Sequence, residues 1–133
     1  MKRIAWIAAL LGLFLLSACG SSAQETVLTA NDNGGSVTLK AGQVLVIQLD
    51  ANPTTGYTWA VEAVDEGVLR PAGEAGYTPA PAAQGQVGTG GTAEWRFEAA
   101  GSGTTTLKLV YIRPWETPPE PAATFSVTVT VQP

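Results

Sequence analysis

An all-β chain folded as an immunoglobulin-like antiparallel β-sandwich of about seven or eight strands is predicted by three observations. Apolar side chains recur at every second position in five separate stretches, no stretch after residue 19 sustains a helical stripe, and Gly or Pro punctuates the chain at short intervals. In order, weak strands are expected near Thr26–Thr29 and Ser36–Leu39. Leu45, Ile47 and Leu49 then alternate with Val46 and Gln48, which places a strand over Val44–Leu49. Tyr57, Trp59 and Val61 define the next, over Tyr57–Val61, and a single weaker strand is expected over Val68–Tyr77. Ala93, Trp95, Phe97 and Ala99 alternate with Glu94, Arg96 and Glu98, a half-buried strand over Thr92–Ala99. Leu107, Leu109 and Tyr111 place another over Thr104–Tyr111, and Phe125, Val127, Val129 and Val131 close the chain over Ala123–Val131. That spacing is the count of an immunoglobulin-like sandwich, in which alternate connections gather at one end.

The first residues stand apart from this pattern. Lys2 and Arg3 precede an apolar run of 13 residues from Ile4 to Leu16, followed by Ser17-Ala18-Cys19. A helix needs about 20 residues to cross the hydrocarbon core, so residues 1–18 read as a signal peptide that is exported and removed. The small residues before Cys19 resemble the lipobox of bacterial lipoproteins, which implies lipidation of Cys19 and a membrane partner held through an N-terminal lipid. Each buried methylene contributes about 0.8 kcal/mol, so two or three acyl chains would hold the protein permanently. The alternative is cleavage by ordinary signal peptidase nearby, with the thiol left free. The resulting expectation is an exported protein lipid-anchored at a bacterial cell envelope, at the outer membrane in a diderm because Gly20 rather than Asp follows Cys19. Residues 19–26 form a small, polar tether, and residues 27–133 form one domain with one core.

Composition excludes several functions. The chain has no histidine, which removes Ser-His-Asp and Cys-His catalysis and most zinc sites. Its 11 acidic residues are scattered and form no recognisable acid/base pair. Without Lys2 and Arg3, five basic side chains face those 11 acids, which disfavours nucleic acid as a partner. No cofactor, metal or catalytic residue is expected, and no driver of oligomerisation is visible, so a monomer is expected. With Cys19 on lipid, no disulfide is possible.

Three connections carry the chemistry. The first is Asn52-Pro53-Thr54-Thr55-Gly56-Tyr57. Pro53 fixes its own φ and pushes Asn52 out of the helical region, while Gly56 can take positive φ, so the threonines sit on a stiff arch. By itself this reads as a sturdy turn and nothing more. The second, Gly85-Gln86-Val87-Gly88-Thr89-Gly90-Gly91, permits close backbone approach but lacks the Gly-Lys-Ser/Thr of a phosphate loop, and alone reads as a flexible linker. The third begins Arg113-Pro114-Trp115 and holds four prolines between Arg113 and Pro121. Trp and Arg are the residues most enriched at binding hot spots, although a loop Trp can also close over its own core.

Taken together, Asn-Pro-Thr-Thr-Gly-Tyr at 52–57, Gly-Thr-Gly-Gly at 88–91 and Arg-Pro-Trp at 113–115 resemble, in order and spacing, the three signature loops of the chagasin family of cysteine-protease inhibitors. Trp95-Arg96-Phe97 and Tyr111 fit the same pattern, and the resemblance spans roughly Val27 to Val131. It implies a non-enzymatic, reversible and competitive inhibitor whose partner is a papain-like cysteine protease. Asn52, Pro53, Thr54, Thr55, Gly56 and Tyr57 would enter the active-site cleft, with Thr54 and Thr55 over the catalytic cysteine and histidine of the protease. Gly88, Gly90 and Gly91 would lie on one flank and Arg113, Pro114 and Trp115 on the other. The chain would be a bacterial lipoprotein member of that family. The alternative function is a surface-anchored adhesion or assembly module that uses the sandwich only as a spacer.

Overall fold

A computed structural model describes residues 24–81 and 90–133. The expected signal peptide, Cys19, and Gly88 of the second loop lie outside the described residues. Among the described residues nine strands follow in order: β1 Glu25–Thr29, β2 Ser36–Lys40, β3 Val44–Ala51, β4 Thr58–Ala63, β5 Leu69–Pro71, β6 Gly76–Pro79, β7 Gly91–Ala99, β8 Gly103–Ile112 and β9 Ala123–Gln132. They form two sheets, one in the order β1-β3-β7-β5 with β6 also on β7, the other β2-β9-β8-β4. This is the expected all-β sandwich.

Two features differ from the expectation. The single strand expected over Val68–Tyr77 is two short strands, β5 and β6, which pair with successive halves of β7. Pro71 has no N–H to continue a ladder, and Gly73 adopts φ 82°, so the chain breaks out of the sheet between them. The sheets are also not wholly antiparallel: β1 runs parallel to β3, and β2 parallel to β9. A 3-10 turn at Ala30–Asp32, where the Thr29 N–H donates to Asp32 Oδ2 at 2.8 Å, carries the chain from one sheet to the other between β1 and β2. β1 begins at Glu25, two residues before the expected boundary of the domain at Val27.

The core is built from the inward phase of the alternating strands. Leu45, Ile47, Phe97, Leu107, Leu109, Phe125, Val127 and Val129 are all essentially inaccessible. The one buried polar side chain among the described residues, Thr105, accepts a 2.9 Å hydrogen bond from the Asp65 N–H, and no buried side-chain polar atom there lacks a partner. Val46 was expected outward, yet only 1% of it is exposed. Its cross-strand neighbours on that face are Val27 and Arg96. The Arg96 guanidinium is held in turn by Glu25 at 2.6 Å and Glu94 at 3.0 Å, and its pKa is raised first by the hydrogen bond to Glu25. A long side chain tethered at its head can cover an apolar neighbour with its stem.

The registers place three connections at one end. Ala51 pairs with Gly91 and Gly91 with Pro79, Thr58 pairs with Ile112, and Tyr111 pairs with Ala123. The β3–β4, β6–β7 and β8–β9 loops therefore leave the sandwich together.

Candidate functional site

The β3–β4 loop is an arch that satisfies its own backbone. Pro53–Thr55 form a 3-10 turn with Asn52 as N-cap. The Asn52 side-chain oxygen accepts from the Thr54 N–H at 3.2 Å and from the Thr54 hydroxyl at 2.6 Å. Its backbone carbonyl accepts from the Thr55 N–H at 3.1 Å and the Thr55 hydroxyl at 2.7 Å. Pro at the first position of the turn loses no bond, because its N–H would have no partner within the turn. Gly56 closes the turn at φ 83°, in the left-handed region that only glycine enters freely. Pro53, Thr54 and Thr55 are exposed. Both hydroxyl protons point inward to Asn52, so the arch offers a partner acceptor lone pairs rather than O–H donors.

The β8–β9 loop is knitted to this arch by side chains. Arg113 Nε donates to the Thr55 carbonyl at 3.2 Å, and its guanidinium carbon lies 4.4 Å above the centre of the Tyr57 ring. Glu116 stands 3.8 Å from the same guanidinium. The Trp115 ring covers Gly56: a Cβ there would lie 2.9 Å from Cζ2 and closer still to Cη2. Gly56 is thus required twice, once for its φ and once for the indole. Trp115 nevertheless remains 68% exposed, so it is not a lid over the core.

The opposite flank is held by backbone proximity. A Cβ on Gly90 would meet the Ala51 carbonyl at 3.0 Å, and one on Gly91 would meet Pro79 Cα at 2.8 Å. Small residues there let β6 and the end of β3 approach closely. Between Asn52 and Gly90–Gly91 lies a recess of about 470 Å³. On the other side of the arch a groove of about 460 Å³ runs under Trp115, walled by Tyr57, Trp59, Tyr77 and Trp95.

All the expected site residues within the described segments therefore meet at one end: Asn52 through Tyr57, Gly90, Gly91, and Arg113 through Trp115. Three further side chains join them that motif reading did not assign to the site. Tyr111 packs its ring between Trp59 and Tyr57, at centroid distances of 5.0 and 5.3 Å. Tyr77 and Trp95 line the groove beneath Trp115. The signal for Tyr111 was present in its spacing, two residues before Arg113 at the end of a strand. Trp95 shares the inward phase of Phe97, but it ends at the groove and is only partly buried.

Comparison with known proteins agrees with this geometry. Residues 38–129 match the family described as the chagasin family of peptidase inhibitors. Chagasin of Trypanosoma cruzi is 32% identical over 104 residues, covering 75% of this chain and 92% of the relative. Amoebiasin-1 of Entamoeba histolytica is 34% identical over 105 residues, covering 79% and 98%. The crystal structure of the cysteine protease inhibitor EhICP2 from Entamoeba histolytica superposes with a TM-score of 0.72 at 29% identity, covering 81% of this chain and 96% of that one. These relatives correct one expectation. They are proteins of eukaryotic parasites, so the assignment as a bacterial lipoprotein member, and with it the lipid-anchored location at a bacterial cell envelope, is overturned. A small-residue stretch before a cysteine is a short pattern, and it carried that assignment alone. The fold, the loop geometry and the match over residues 38–129 lead to one conclusion: the chain belongs to the chagasin family of peptidase inhibitors, proteins that block peptidases and are not enzymes.

Proposed function

We propose that the arch Asn52–Tyr57, flanked by Gly90–Gly91 and Arg113–Trp115, is the face with which this inhibitor of papain-like cysteine proteases closes the active-site cleft. Thr54 and Thr55 lie over the catalytic cysteine and histidine of the protease, and Trp115 packs on the rim. The observation that supports this most is the bracing of the arch by the β8–β9 loop, through Arg113 on the Thr55 carbonyl and Trp115 on Gly56. A wedge already ordered in the free protein loses little conformational entropy on docking, so more of its buried area appears as affinity. The same geometry protects the inhibitor. A turn closed on itself at Asn52 does not present an extended peptide to the nucleophile, so the arch blocks the cleft without being cut. Binding is reversible, and one copy occupies one protease.

The test is steady-state kinetics of papain on a fluorogenic peptide with increasing amounts of the protein. The expected result is a rise in apparent KM at constant kcat, with no cleavage of the inhibitor. Trypsin and pepsin, whose clefts lack the Cys–His pair, are expected to be unaffected. A fall in kcat at constant KM, or equal inhibition of trypsin, would contradict the proposed face.

A further inference from the structure

We infer that Tyr111 is a positioning residue of the inhibitor, one that fixes where the arch stands without itself meeting the protease; the inference rests on the reading of the arch given above. Tyr111 lies on β8, in the second sheet, opposite Trp59 of β4 and Ala123 of β9. Its hydroxyl reaches the end of β3 in the first sheet, where it accepts from the Asn52 N–H at 2.7 Å and stands 3.4 Å from the Asn52 carbonyl. Asn52 is also the point on which the arch's own bonds converge, since Thr54 and Thr55 donate four hydrogen bonds to it. The arch is therefore a small closed unit whose bonds converge on Asn52 at its base, with Arg113 and Trp115 bracing its far end, and the phenol ties that base to the opposite sheet. The ring cannot swing aside, because Trp59 and Tyr57 pack on it. Loss of the hydroxyl removes this tie but none of the arch's internal bonds, so the unit persists and its aim loosens.

The test is Tyr111→Phe, which keeps the ring and its packing, beside Val127→Ala, a core truncation remote from the arch. Amide hydrogen exchange of the free protein is expected to show the Asn52 amide, which loses its acceptor in Tyr111→Phe, exchanging roughly tenfold faster, with the Thr55 and Gly56 amides, bonded within the arch, and the β9 amides little changed. The inhibition constant toward papain is expected to rise roughly tenfold, with a melting temperature lowered by no more than about 5 °C. Val127→Ala is expected to melt lower still, yet to keep wild-type arch exchange and wild-type inhibition per folded molecule. Wild-type exchange at the Asn52 amide of Tyr111→Phe would overturn the inference. So would losses of inhibition in both variants that simply follow their losses of stability. If the unmodified protein left papain untouched, the reading of the arch would fall, while the exchange measurement would still decide the role of Tyr111.

Discussion

Trp59 and Trp115 line the same groove, yet they belong to two regions that obey different rules. Trp59 is 9% exposed, stacks on Tyr111, and donates its indole N–H to the Asp50 carbonyl at 2.9 Å. Trp115 is 68% exposed and rests on Gly56. The first is fixed by the sandwich and helps to hold it together. The second is held out by a proline-braced loop, with most of its apolar surface still in water. In the wall of the sandwich an aromatic ring has already contributed its burial to folding; at the loop end that contribution is still available to a partner. The difference teaches that residue type alone does not separate core from contact surface, whereas exposure together with hydrogen bonding does.

The comparison can be broken at either end. The largest effect is expected in the wall: Trp59→Ala should lower stability by about 3–5 kcal/mol and reduce inhibition only through unfolding. Trp95→Ala should cost less, about 2 kcal/mol, because that ring is only partly buried. Chemical denaturation measures both, and a Trp59→Ala protein as stable as the wild type would remove the distinction. The smaller effect lies at the loop end. Trp115→Ala should weaken inhibition by about 2 kcal/mol, roughly thirtyfold, with nearly unchanged melting. If Trp115→Ala instead melted like a core variant and inhibited normally per folded molecule, the ring would belong to the wall.

Much of the wall was legible in the sequence because period two is a local signal. The strands around Trp95, Leu107 and Val127 lie within one residue of where alternation puts them. What alternation does not carry is the direction of pairing, so the parallel partners of β1 and β2 were not foreseen. Nor does it carry the coverage of a face: Val46 is buried by residues that come from two other strands. The break between β5 and β6 had a local sign in Pro71 and Gly73. At the loop end, the three motifs identified the residues that meet, and Gly56 could be assigned a positive φ from turn chemistry. The convergence of hydrogen bonds on Asn52, and its tie to Tyr111, depends on a contact between residues 59 positions apart. No periodicity in the chain encodes such a contact.

The most direct test of the central claim is to fill the tip of the arch with something the cleft cannot admit. Thr54 is exposed and its neighbours are satisfied by Asn52, so Thr54→Arg should fold and melt nearly as the wild type does. Its inhibition constant toward papain should rise by roughly a hundredfold or more, equivalent to about 2.7 kcal/mol. A Thr54→Arg protein that melts normally and still inhibits papain at the wild-type constant would show that the arch does not enter the cleft.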